Sequence, residues 1–124
     1  LSDELSKLPP NVQERLLRLQ QLQQTLQTIL AQKQQVEMEK TEVDQTLAEL
    51  AKTTDESVIY KAVGSLLVKA EKAKVSEELT ERKSLLDTRS TVMNRQEERI
   101  RAQVKEAQTK LQEDLSPVSG QPLS

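Results

Sequence analysis

The sequence predicts a mainly α protein: a long antiparallel two-helix coiled coil, with one β-hairpin between the helices that oligomerises into a β-barrel platform. Three observations lead there. Apolar residues recur at spacings of three and four along two arms of near-equal length, which is the pattern of a coiled-coil seam. A β-branched apolar run, Val58 to Lys69, separates the arms and holds a Gly64-Ser65 pair at its centre. Charged residues make up 31% of the chain and apolar ones only 35%, too polar a balance for a compact globule with a sizeable core.

Residues 1–8 read as a flexible N-terminal leader. Leu1, Leu5, Leu8 and Val12 are nevertheless spaced four, three, four, which leaves an ordered extra turn open against a frayed end. Pro9-Pro10 stops any preceding helix and pre-sets the first turn of the next. Residues 9–52 form the first coiled-coil helix, with a seam of Val12, Leu16, Leu19, Leu22, Leu26, Ile29, Val36, Val43, Leu47 and Leu50; Lys33 and Lys40 fill the gaps. At 1.5 Å per residue it would be about 60 Å long. A helix so long and so polar needs a partner along its seam.

Residues 53–74 form the oligomerisation segment. Gly first in a two-residue loop suits a type II′ turn, because Gly takes φ > 0 without penalty. Alternation places Val58, Tyr60 and Ala62 on one face of the first strand, and Ile59, Lys61 and Val63 on the other. Both faces carry apolar residues, and a lone hairpin leaves both edges open. The residues expected to be covered by other copies are Val58, Ile59, Tyr60, Val63, Gly64, Leu66, Leu67 and Val68.

Residues 75–115 form the second helix, with a seam of Val75, Leu79, Arg82, Leu86, Arg89, Met93, Gln96, Ile100, Val104, Ala107, Leu111 and Leu115. Acid-before-base pairs at i,i+4 support the helices: Glu14 with Arg18, Glu78 with Arg82, Glu97 with Arg101, Glu106 with Lys110. Residues 116–124, opened by Ser116-Pro117, read as a disordered tail. Folding the arms back on each other sets Leu50 by Val75, Leu47 by Leu79, Leu26 by Ile100, Leu22 by Val104 and Leu16 by Leu111. It also sets Lys40 level with Asp87, where a partly exposed salt bridge is expected. Both seams break step at one height, between Leu16 and Leu22 and again at Val104, which predicts a local change in supercoiling.

Several chemistries are excluded. Histidine and cysteine are absent, which removes the usual zinc ligands and the commonest general base. Two distant glycines build no phosphate loop, and the carboxylates lie on solvated faces with no dry pocket to separate their pKa values. No enzyme activity, cofactor or metal is expected. Net charge is −2 and the one aromatic is Tyr60, so there is neither a basic surface nor a stacking platform for nucleic acid. No run reaches membrane-span length and no signal peptide is visible. A cytoplasmic location is expected, and the lack of cysteine agrees with it.

The residues resemble a known family. A heptad arm, the hairpin VIYKAVGSLLVK and a second heptad arm are similar to the β-class subunit of prefoldin, archaeal type. The most specific part is Tyr60-Lys61, Gly64 and Leu67-Val68-Lys69; LPPNVQ, QLQQTLQ, QKQQVEMEKTE and RQEERI add to it. The likeness runs from Leu8 to about Leu115. It implies a hetero-hexamer with a prefoldin α-class subunit, two α and four β, whose hairpins combine into a double β-barrel. It further implies an ATP-independent holdase that binds unfolded client proteins at coiled-coil tips and delivers them to a group II chaperonin. The chain ends would lie at such a tip, so the client-binding residues are expected to be Leu5, Leu8, Val12, Leu16, Leu111, Leu115 and Val118. The alternative is a structural coiled-coil protein that forms a homo-oligomer or filament through its hairpins.

Overall fold

The structure, a computed structural model, describes residues 2–115. The chain runs α1 (Ser2–Ser6), α2 (Pro10–Ala51), β1 (Ile59–Val63), β2 (Leu66–Ala70) and α3 (Lys72–Leu115). The strands form one antiparallel hairpin between the two long helices. The chain divides into two compact units, residues 33–92 and residues 2–32 with 93–115. The expected tail, 116–124, and Leu1 lie outside the described residues.

The helix starts follow local chemistry. Pro9 supplies the carbonyl that accepts from the Val12 and Gln13 amides, 3.0 Å each, and Pro10 occupies the first helical position, where its missing N–H costs nothing. The Gln13 side chain donates through Nε2 to the Leu8 carbonyl at 2.7 Å and to the Ser6 carbonyl at 3.3 Å. These bonds tie α1 to the start of α2, and the turn that the leucine spacing left open is helical. The second long helix begins at Lys72, ahead of the expected Val75. Glu71 accepts from the Val75 amide at 3.0 Å, and Lys72, Ala73 and Lys74 are good helix formers with no breaker among them.

In the unit of residues 33–92, α2 and α3 are joined side by side by polar contacts. Lys40 meets Asp87 at 3.1 Å, as its level in the sequence predicts, and Lys83 meets Asp44 at 2.8 Å. Arg82 meets Glu39 at 2.7 Å, and the Ser90 hydroxyl donates to Glu37 at 2.9 Å. Leu86 is the one described side chain buried completely; Val36, Val43 and Leu50 are buried on α2. In the other unit, Val12, Leu22, Ile29 and Ala107 are buried, and Arg15 meets Asp114 at 2.9 Å.

The burial pattern corrects the second seam. The inward residues of α3 include Val75, Leu79, Lys83, Leu86, Ser90, Met93, Gln96, Glu97, Ile100, Val104, Ala107, Leu111 and Asp114. Arg82, Arg89 and Leu115, assigned to the seam by sequence, are exposed. From Leu79 to Asp114 these residues can be followed at alternating spacings of four and three, with Gln96 and Gln103 half-buried beside Glu97 and Val104. On α2, Arg15 and Leu16 are both half-buried, so the two share the seam position between Val12 and Leu19. The physical reason is common to both helices: polar residues hold seam positions by reaching partners on the other helix, and apolar counting skips them. Two expected i,i+4 pairs form, Arg101 with Glu97 at 2.8 Å and Lys110 with Glu106 at 3.1 Å. Glu78 and Arg82 instead take longer-range partners, Lys61 and Glu39.

Two outcomes follow. Leu86→Ala should destabilise the helix pair by about 2–5 kcal/mol, whereas Leu85→Ala, at a neighbouring position 46% exposed, should stay within about 0.5 kcal/mol; urea unfolding distinguishes them. The hydrogen bond to Asp87 raises the pKa of Lys40 against a smaller opposing effect of burial, with Glu37 and Asp44 adding attraction. Asp44 raises that of Lys83. A pKa raised on folding gives stability that is complete below the unfolded value of about 10.4 and is lost as pH climbs through the folded value. The melting temperature should therefore fall above about pH 10.4, and less steeply in a Lys40→Gln/Lys83→Gln chain.

Candidate functional site

The hairpin is built by its turn and held by its base. Gly64 has φ +60° and no other residue has a positive φ among those described, which fits a type II′ turn closed by Val63 opposite Leu66. A methyl group at Gly64 would meet nothing within 4 Å, so it is the backbone angle, not crowding, that calls for glycine. The register pairs Ile59 with Ala70, Tyr60 with Lys69, Lys61 with Val68 and Ala62 with Leu67. Cross-strand partners share a face. One face therefore carries Ile59, Lys61, Val63, Leu66, Val68 and Ala70, and the other Tyr60, Ala62, Leu67 and Lys69.

The base of the hairpin is tied to the helices. The α2 end closes with the Thr53 amide on the Leu50 carbonyl at 3.1 Å, and the Thr53 hydroxyl on the same oxygen at 2.6 Å. Lys72 donates to the Thr53 carbonyl at 2.7 Å, a cation where the helix dipole is negative. Ser57 closes the connecting turn, its amide on the Thr54 carbonyl and its hydroxyl accepting from the Thr54 amide at 3.0 Å. Lys61 reaches Glu78 of α3 at 2.7 Å. The face that bears Lys61 therefore leans toward α3, and Ile59 and Ala70 are half-buried on it.

Beyond that base the apolar residues are uncovered. Val58, Tyr60, Val63, Leu66, Leu67 and Val68 are between 46% and 73% exposed. The strand edges have no neighbour among the described residues. An apolar patch of this kind on both faces of a hairpin is larger than single scattered apolar residues account for.

The unit that holds the chain ends has a second, smaller set. Leu5 and Leu115 are exposed, Leu8, Leu16 and Leu111 are half-buried, and Val12 is only 2% exposed; Val118 lies outside the described residues. Val12 thus seals the helix pair rather than facing outward. Leu17, absent from the sequence reading, is exposed. The signal for it was the Leu16-Leu17 doublet, since adjacent helical residues cannot both face one seam. Beside these residues, an open cleft of about 530 Å³ has Leu22 and Ala107 at its floor and Glu14, Arg15, Arg18, Glu106 and Lys110 around it. Among the described residues there is no group of His, Cys, Asp and Glu able to hold a metal ion. No described helix is long and apolar enough to cross a membrane.

A family model described as "Prefoldin subunit" matches residues 13–117. The chain belongs to the prefoldin subunit family. Prefoldin subunit beta of Archaeoglobus fulgidus is 47% identical over 116 residues, 94% of this chain and 100% of that protein. Prefoldin subunit beta of Thermococcus onnurineus is 41% identical over 116 residues, again 94% of this chain and 100% of that protein. The crystal structure of the prefoldin beta subunit from Thermococcus strain KS-1 superposes with a TM-score of 0.80 at 39% identity, covering 88% of this chain and 96% of that one. Membership of the prefoldin family brings a chaperone-type role and assembly with other prefoldin subunits. It also accounts for an uncovered hairpin in a single prefoldin chain.

Gly64→Ala should cost about 1–2 kcal/mol, because an L residue is strained at this φ whatever the free space. Faster amide hydrogen exchange confined to Tyr60–Lys69, with the long helices unchanged, is the expected reading.

Proposed function

We propose that this chain is an ATP-independent holding chaperone subunit. It joins a hetero-hexamer of two α-class and four β-class prefoldin subunits in the cytoplasm, binds non-native proteins at the ends of its helices and delivers them to a group II chaperonin. The observation that carries the reading is the hairpin: apolar side chains stand uncovered on both of its faces, in a chain whose family works as subunits. The assembly surface is Val58, Ile59, Tyr60, Val63, Leu66, Leu67 and Val68, with Gly64 shaping the turn.

Client contact falls to the unit with the chain ends. Leu5, Leu17 and Leu115 offer uncovered apolar area, Leu8, Leu16 and Leu111 extend it, and Val12 keeps the helices together. Full burial of one leucine contributes roughly 1.5–3 kcal/mol, so a single chain end grips weakly and lets go. Gathering several ends in one assembly multiplies the grip without new contacts. Sequence-tolerant, reversible attachment is what an unfolded client requires, and no nucleotide enters it.

Removal of residues 1–8 and of everything from Leu115 onward should weaken the suppression of aggregation of a chemically unfolded protein, with the native mass of the assembly unchanged. Val68→Lys should do the opposite and abolish assembly, because an ammonium group cannot be covered cheaply between strands. Native mass spectrometry with an α-class subunit and light scattering of the client check both. Equal suppression by the trimmed and intact assemblies would favour a purely structural oligomer, and loss of assembly on trimming would contradict the placement of the client surface.

A further inference from the structure

The cross-helix ion pairs between α2 and α3 in residues 33–92 come from a six-residue block that occurs twice. On α2 it reads Glu39-Lys40-Thr41-Glu42-Val43-Asp44, and on α3 Arg82-Lys83-Ser84-Leu85-Leu86-Asp87. In each, the lysine lies four residues before the aspartate and the buried seam residue, Val43 or Leu86, stands just before that aspartate. The blocks meet antiparallel and exchange contacts reciprocally: Lys40 with Asp87 at 3.1 Å, Lys83 with Asp44 at 2.8 Å. The arrangement has a local two-fold character, broken at the first residue of each block and at the fourth, where Glu42 and Leu85 are both exposed. Glu39 stands where Arg82 stands, and these two meet at 2.7 Å.

This symmetry has a consequence for partner choice. The Lys–Asp exchange would form equally well if α2 paired with α2 of a second copy, or α3 with α3, because each block is complementary to itself. The first residues would not. By the same register, α2 on α2 sets Glu39 against Glu39 of the second copy, and α3 on α3 sets Arg82 against Arg82. Charges flanking a seam choose partners chiefly by what they repel. The geometry points to Glu39 and Arg82 as the residues that make α2 and α3 select each other and reject like helices of other copies, while the Lys–Asp exchange fixes the register. The usefulness of such discrimination rests on the assembly reading above, where arms of several copies are crowded together; the pairing rule itself does not.

The test uses full-length chains, which carry no native cysteine. One chain bears Glu39→Arg with Glu37→Cys, the other Arg82→Glu with Ser90→Cys. In each alone, like charges face each other within the chain; refolded together, α2 of the first suits α3 of the second. A short thiol cross-linker should then join the two chains several-fold more than a mixture of native-charge chains carrying the same single cysteines. Equal yields in the two mixtures would overturn the proposal. A single chain with both Glu39→Arg and Arg82→Glu should recover the native unfolding midpoint and the low cross-linking yield. A double variant no better than the single ones would overturn it as well. Because the readout is which helices touch, it stands whether or not the hairpins assemble.

Discussion

Two five-residue strands with apolar side chains on both faces have no core of their own. Packing needs a second layer, and the described residues supply none: each strand's neighbours among them are the other strand and a few bonds at the base. Burying one such side chain contributes on the order of 1.5–3 kcal/mol, and several of them stand uncovered here. That free energy is released only when another chain covers them. The long helices do not compete for this surface, because their own seams are already satisfied. The fold therefore separates two tasks along the sequence, with helices that close on each other and a hairpin that does not.

The helical seams are narrow. In helices of 42 and 44 residues, burial is confined to one residue in three or four, and several of those are polar. Ser90 is 8% exposed and bonded to Glu37, and no buried side-chain nitrogen or oxygen among those described lacks a partner. Exposed ion pairs add little stability. A polar group buried at a seam position, as Ser90 is, acts differently: in any shifted register it loses its partner and stays dry, which costs more than the bond gained. Ser90 thus restricts the pairing more than it strengthens it, whereas the Lys40, Lys83 and Arg15 side chains keep contact with water. Apolar residues spaced by heptads tolerate a slip of seven residues, and Ser90 does not.

The same feature explains how far the sequence could be read. The helix–hairpin–helix order, the turn at Gly64, the alternation of the strands and the level of Lys40 with Asp87 follow from spacing and backbone preference, which are local properties. The seam of α3 was misread at Arg82 and Arg89 because a search for apolar residues has no reason to prefer Lys83 or Ser90; what puts them inside is an acid on the other helix. Among the chain-end residues, Leu5 and Leu115 are exposed, but Val12 is not, since a β-branched residue at the start of a seam looks the same whether it faces a partner helix or solvent. Leu17 was passed over for the converse reason: it lies outside the seam, where apolar side chains carry no periodic signal.

Selectivity between arms and stickiness at their ends make opposite demands on one surface. A chain end that binds many unfolded proteins must present apolar area without a preferred partner, and such area would also attract the other arms of an assembly. Along residues 33–92 the charged blocks on α2 and α3 answer this by leaving a like helix facing its own charge. In the unit with the chain ends, Arg18, Glu106 and Lys110 line an open cleft with the apolar Leu22 and Ala107, a mixed-sign rim around a small apolar patch. Mixed charge around a small apolar patch favours brief contact with extended chains over lasting contact with another folded helix, because a rigid partner must match the rim while a flexible one can thread between its charges. On the proposed reading, the polar residues of the arms do for separation what the apolar residues of the hairpin do for assembly.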